Sequence, residues 1–92
     1  MSTPEVLLVT GGGRGIGAAI VRRGAQRGYR VCFSYLQDQT SADRLISEIA
    51  AAGHEPPLAV RGDVADPAFP ERFFDAAEAA FGPVSALVNN AG

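Results

Sequence analysis

Residues 10–17 read TGGGRGIG, and they come directly after the apolar run VLLV at residues 6–9. Five glycines and one arginine fall within eight residues. Glycine loses more backbone freedom on folding than any other residue, so a cluster this dense belongs where the chain must turn sharply or where another group must approach the backbone. The run before it is too short for a helix and is bounded by Pro4 on one side and glycine on the other. It predicts a strand buried on both faces. Residues beyond Gly15 have helical spacing, so the corner joins a buried strand to a helix.

The rest of the chain repeats that alternation. Over residues 16–27, Ile16, Ala19, Ile20 and, more weakly, Gly24 recur at helical spacing, with Arg22, Arg23 and Arg27 on the other side. Gly28 ends that helix. Residues 31–35, VCFSY, predict a second buried strand. Thr40 with Asp43 resembles a capping box for a second helix. Its stripe is Ala42, Leu45, Ile46, Ile49 and Ala50, and it stops at Gly53. Residues 58–60 start a third strand, with RGDV after it. Asp66 and Pro67 form an N-cap and first-turn pair for a third helix, which presents Phe69, Phe73, Phe74, Ala77 and Phe81. Residues 86–88 predict a fourth strand, which runs into NNAG. The order β-α-β-α-β-α-β implies an α/β fold with a parallel sheet wrapped by helices through right-handed crossovers. It is the first part of a doubly wound, Rossmann-type nucleotide-binding domain, without a linker or an internal boundary over residues 1–92.

Composition narrows the class of partner. The chain is 47% hydrophobic and 20% charged with a net charge of -2, which fits a soluble globular domain. It has no polybasic run, so neither nucleic acid nor an anionic membrane is implied. No stretch of about 20 apolar residues and no basic-then-apolar leader is present, so the expected location is cytoplasmic. Cys32, within an apolar strand, reads as core, and His54 reads as a solvated loop residue. One cysteine and one histidine cannot assemble a metal site from those side chains.

In a doubly wound sheet, ligands sit beyond the carboxyl ends of the strands, at the point where strand order reverses. The glycine corner occupies that point. Gly11 permits the turn, and Gly13 and Gly15, with Gly12 between the first two, clear space for a diphosphate. Gly17 lets the helix lie close on the sheet. The backbone N–H groups of the first helical turn, from Gly15 to Gly17 through Ile16, would face the anion. The spacing Gly-x-x-x-Gly-x-Gly departs from the usual dinucleotide fingerprint, and no Gly-Lys-Ser/Thr comes after it, so it is not a P-loop. A plain tight turn between strand and helix is the alternative.

TGGGRGIG at the first turn, GDV after the third strand and NNAG after the fourth resemble the short-chain dehydrogenase/reductase family, in that family's order and spacing across the whole chain. The resemblance implies reversible hydride transfer between a nicotinamide coenzyme and a small-molecule alcohol or carbonyl compound, in an enzyme that forms homo-oligomers at full length. It assigns Asp63 and the backbone of Val64 to adenine, and Asn90, Ala91 and Gly92 to the coenzyme's ribose region. A capping or turn aspartate is the other reading of Asp63. Asn89 is expected to tie neighbouring strands together.

The choice of coenzyme turns on the end of the second strand. An NAD site places an acid there to accept from the adenosine ribose. Here Ser34, Tyr35 and Leu36 stand in that place, so nothing at the strand end repels a 2′-phosphate. Arg14 supplies a planar, permanently charged fork suited to phosphate oxygens. An arginine just before the second motif glycine is typical of NADP-preferring family members. The expectation is therefore NADP, with NAD the weaker ligand. Family members also use a tyrosine, a lysine and a serine for catalysis. All eight basic residues here are arginines, so the tyrosine–lysine pair cannot be assembled and no catalytic residue is assigned. The chain is thus expected to be the coenzyme-binding half of a longer enzyme. A non-catalytic nucleotide-binding or sensing module is the alternative. An adenosyl-binding transferase would want an acid where FSYL ends.

Overall fold

The computed structural model describes residues 4–90. Four strands and three helices alternate: β1 (Val6–Thr10), α1 (Gly15–Gln26), β2 (Arg30–Tyr35), α2 (Gln39–Ala51), β3 (Leu58–Arg61), α3 (Phe69–Phe81) and β4 (Ala86–Asn89). All pairings are parallel and the strand order is β3-β2-β1-β4. The chain therefore builds outward from β1 to β3, then crosses back to place β4 on the other side of β1. Strand order reverses between β1 and β4, and the glycine corner opens at that reversal.

Alternation along the strands divides the core into two layers. Leu7, Val9, Val31 and Phe33 pack under α1 and α2 with Val21, Ala25, Leu45 and Ile49. Val6, Leu8 and Cys32 point to the opposite face, against Phe69, Phe73 and Ala77 of α3. β1 is buried along its full length, as its unbroken apolar run predicts. Each large side chain sealed in this way contributes roughly 1.5–3 kcal/mol. Phe69 and Phe73 stack within the α3 layer with ring centroids 5.4 Å apart. Cys32 belongs to that layer, and burial pushes its thiol up to about 12, leaving it protonated and inert.

The inward face of α1 differs from the hydrophobic count. Gly17, Ala18, Val21, Gly24 and Ala25 face the sheet, whereas Ile16 is 75% exposed and Ala19 is also outside. The reason is proximity. A Cβ on Gly24 would stand 2.9 Å from Leu7 Cδ2 and 3.2 Å from Val31 Cγ2, so only the small-residue face lets the helix sit this low. Gly28, at φ 89°, terminates α1 as expected.

Two helix starts are displaced from their sequence signals. α2 is capped by Asp38, whose carboxylate accepts from Ser41 N–H at 3.0 Å and Ser41 Oγ at 2.7 Å, and not by Thr40 with Asp43. Asp66 accepts from the Ala68 N–H at 3.0 Å in a turn ahead of α3, and Pro70 takes the first-turn position. In α2, Ala42, Leu45 and Ile49 form the buried stripe and Ala50 is exposed.

Candidate functional site: the coenzyme corner

The corner is built by backbone conformation. Gly11 at φ 67° turns the chain off the end of β1, and Gly15 at φ 61° turns it into α1. Both angles lie in the left-handed region that residues with a Cβ adopt only at a cost. Between them Arg14 is extended and serves as the N-cap, without a side-chain cap and without an acid in the first turn. The Ala18 N–H reaches the Arg14 carbonyl at 3.3 Å. The N–H groups of Gly15, Ile16 and Gly17 find no acceptor among the described residues. Nothing lies within 4 Å of where a Cβ on Gly15 would project. Unpaired donors, a positive helix end and open space fit the diphosphate of a dinucleotide.

Gly12 and Ser34, both expected to touch the coenzyme, are buried, and Ser34 also lines the cleft that leads to Asp63. Gly12 is buried, and a Cβ there would stand 2.9 Å from both Phe33 Cγ and Val21 Cγ2. The Ser34 side chain is 1% exposed. Its Oγ accepts from the Gly11 N–H at 3.0 Å, and its carbonyl accepts from the Gly12 N–H at 2.9 Å. Through these two accepted bonds Ser34 holds the corner from beneath. This is a buried polar group satisfied by the turn it shapes.

Outside the corner, two clefts meet along Gly11, Tyr35 and Leu36. One, of about 370 Å³, runs past Gly13 and Arg14 to Gln37 and Asp38. The other, also about 370 Å³, runs past Gly62 to Asp63, Val64 and Ala65. Two bonds set their shared wall: Arg61 Nε donates to the Leu36 carbonyl at 3.3 Å, and the Gly62 N–H donates to the Tyr35 carbonyl at 2.9 Å. Arg14 is exposed, and its guanidinium makes no hydrogen bond or ion pair among the described residues. Its charge is felt across the cleft. The Asp38 carboxyl is held below its ordinary value by the Ser41 hydroxyl and N–H, with Arg14 and Arg44 adding to the effect.

Asp63 plays its turn part visibly, accepting from the Ala65 N–H at 2.9 Å through Oδ1. Among the described residues only that oxygen is used, which leaves Oδ2 at the cleft for a donor such as an exocyclic amine. At the end of β4 the two asparagines both reach back. Thr10 Oγ1 donates to Asn89 Oδ1 at 3.0 Å and accepts from the Asn90 N–H at 2.9 Å. Asn90 Nδ2 donates to the Gly11 carbonyl at 3.2 Å. Asn89 thus joins β4 to β1, and Asn90 braces the corner. Ala91 and Gly92 lie outside the described residues.

This arrangement is matched from end to end by the family model for short chain dehydrogenases, over residues 5–92. The chain belongs to the short-chain dehydrogenase/reductase family. An L-rhamnose 1-dehydrogenase (NAD(P)(+)) from Sphingomonas sp. is 40% identical over 88 residues, covering 96% of this chain and 34% of that protein. A short-chain dehydrogenase/reductase from Serratia marcescens superposes with a TM-score of 0.92 at 41% identity, covering 98% of this chain and 36% of that one. A blue fluorescent protein from a metagenomic library, solved in complex with NADPH, gives a TM-score of 0.89 at 43% identity, covering 98% and 37%. The chain spans about a third of the length of the curated relatives it matches.

In this short-chain dehydrogenase/reductase chain, Gln37 and Asp38, which lie outside the three motifs, also line the corner's cleft. Asp38 could have been found from sequence, because a serine stands three positions after it, the spacing of an N-cap aspartate. Thr10 opens the TGGGRGIG run, but its bonds to Asn89 and Asn90 have no local signal, since those partners lie 79 and 80 positions away.

Proposed function

We propose that the chain supplies the coenzyme-binding half of an oxidoreductase that prefers NADP(H) to NAD(H) and transfers hydride to or from a small alcohol or carbonyl compound. The nicotinamide would supply or accept the hydride. The residues here bind and orient: the first turn of α1 holds the diphosphate, Asp63 and Val64 hold adenine, and Asn90 keeps the corner in shape. The reading extends to residues 91–92, where Ala91 and Gly92 would border the ribose. It also extends to assembly as a homo-oligomer and to a cytoplasmic location. No residue of this chain is assigned to proton transfer.

The observation that carries the coenzyme preference is Arg14 at the mouth of the cleft, opposite a β2 end that reads Ser34-Tyr35-Leu36 with no acid. A hydrogen bond to a charged group is worth about 1.5–3 kcal/mol, which corresponds to tenfold or more in affinity. Binding of a nicotinamide coenzyme is also supported by the relatives, one named for NAD(P)(+) and one bound to NADPH.

Dissociation constants for NADPH and NADH, measured on the wild type and on Arg14→Ala, test it. The expected result is a wild-type preference for NADPH that falls about tenfold or more in the variant, with NADH within about twofold. Equal wild-type constants, or an unchanged preference in Arg14→Ala, would overturn it.

A further inference from the structure

We propose that Ser34 is a positioning residue for the diphosphate: its buried hydroxyl fixes the rotation of the chain at Gly11, and through it the aim of the N–H groups at the start of α1. The inference rests on the reading of that helix start as the diphosphate site.

β2 is an interior strand, and Val31, Cys32 and Phe33 along it are apolar and buried. Ser34 is as buried as they are, at 1% exposure. A hydroxyl in such a place is costly unless it is bonded. The bond it makes is to the turn. Its Oγ accepts from the Gly11 N–H at 3.0 Å, and its carbonyl accepts from the Gly12 N–H at 2.9 Å. The first N–H belongs to the peptide before the Gly11 Cα and the second to the peptide after it. Ser34 therefore grips both of the planar units whose relative rotation defines the Gly11 backbone angles.

That grip matters because the residue between the two peptides is glycine. Its freedom permits the φ of 67° without selecting it. The selection has to come from outside, and Ser34 supplies it on the β2 side. On the β4 side, Asn90 Nδ2 holds the Gly11 carbonyl at 3.2 Å. The first turn of α1 leans on that same carbonyl, since a Cβ on Gly17 would collide with it. A rotation at Gly11 is thus passed directly to the N–H groups of Gly15, Ile16 and Gly17. The carbonyl bond of Ser34 survives any side chain at that position, so the hydroxyl is the half of the grip that a substitution removes.

The test uses ADP and adenosine as probes, titrated into the isotopically labelled wild type, Ser34→Ala, Ser34→Cys and Ser34→Thr and followed by amide shifts. Cysteine keeps the size of serine with a weak acceptor, and threonine keeps the hydroxyl and suits a strand. The expected result is that the ratio of the adenosine to the ADP dissociation constant falls about three- to tenfold in Ser34→Ala and Ser34→Cys, with adenosine itself within about twofold of wild type. Ser34→Thr should restore the ratio. In the unliganded proteins, the Gly11 amide should exchange with solvent faster in the alanine and cysteine variants and regain its protection with threonine. A ratio within about twofold of wild type in both Ser34→Ala and Ser34→Cys would overturn the role of Ser34. So would a loss of adenosine affinity as large as that of ADP, which would make Ser34 a direct contact at the adenosine cleft that it lines. A wild type that binds ADP no more tightly than adenosine would sink the diphosphate reading itself, so the two failures are separable.

Discussion

Asn90 Nδ2 donates to the Gly11 carbonyl oxygen at 3.2 Å, joining the end of β4 to the turn after β1. The same carbonyl is the surface on which α1 begins: a Cβ on Gly17 would collide with Gly11 O and stand 2.8 Å from Asn90 Nδ2. The first turn, the first helix and the last described strand therefore converge on one peptide group.

Gly17→Ala should break that convergence. The obstacle is backbone, which cannot rotate aside, so the cost belongs at or above the upper end of the roughly 1–3 kcal/mol typical of overpacking. Urea unfolding of Gly17→Ala beside Gly24→Ala would separate backbone from side-chain obstruction, because Gly24 meets the movable ends of Leu7 and Val31. The Gly17 variant should lose more stability and also lose ADP binding. A Gly17→Ala protein with wild-type stability and binding would show that the helix start does not rest on Gly11.

Thr10→Val preserves shape and removes the hydroxyl that serves both asparagines. It leaves the Asn90 N–H without its acceptor in a half-buried position, and a stranded donor of this kind costs about 1–3 kcal/mol. The expected signature is a lower urea midpoint with an unchanged slope. An unmoved midpoint would mean that the link between β1 and the end of β4 contributes nothing.

Acid should loosen the α1–α2 side of the molecule. Hydrogen bonds from Arg22 hold the Glu48 carboxyl below its ordinary value of 4.5, and those from Ser41 hold Asp38 below 3.8. A carboxyl depressed by folding stabilises the native state fully above its unfolded value, and that contribution disappears as pH falls through the depressed one. Stability measured against pH should therefore decline below about pH 4.5 in the wild type. Glu48→Gln and Asp38→Asn should each flatten that decline while leaving the slope above about pH 6 unaltered. Acid limbs as steep as that of wild type in both variants would contradict the assignment.

Much of this architecture was legible in the sequence, and the misses share a physical cause. Buried strands such as VLLV stand out because both faces are apolar, and Gly28 marks the end of α1 because its backbone needs a positive φ. Apolar spacing assumes that larger side chains go inward. At α1 the backbone lies so close to the sheet that glycine and alanine do, and Ile16 is left outside. The N-cap of α2 was displaced for a different reason, since Asp38 and Thr40 are both plausible caps and geometry selects between them. Ser34 stands at the position where a ligand contact is expected, and it both lines the cleft and accepts from the Gly11 N–H, a second role that its position does not signal. Sequence indicates which residues gather at a strand end, whereas the direction each side chain takes depends on what the turn itself must satisfy.

The most direct measurement is amide chemical-shift mapping of the isotopically labelled protein with NADPH. The N–H groups of Gly15, Ile16 and Gly17, without an acceptor among the described residues, are the proposed donors to the diphosphate. Their resonances, with that of the Arg14 amide, should therefore show the largest shifts, and Asp63 and Val64 should move to a lesser degree. Saturable binding that leaves residues 13–17 unmoved, with the perturbations centred elsewhere on the sheet, would contradict the account.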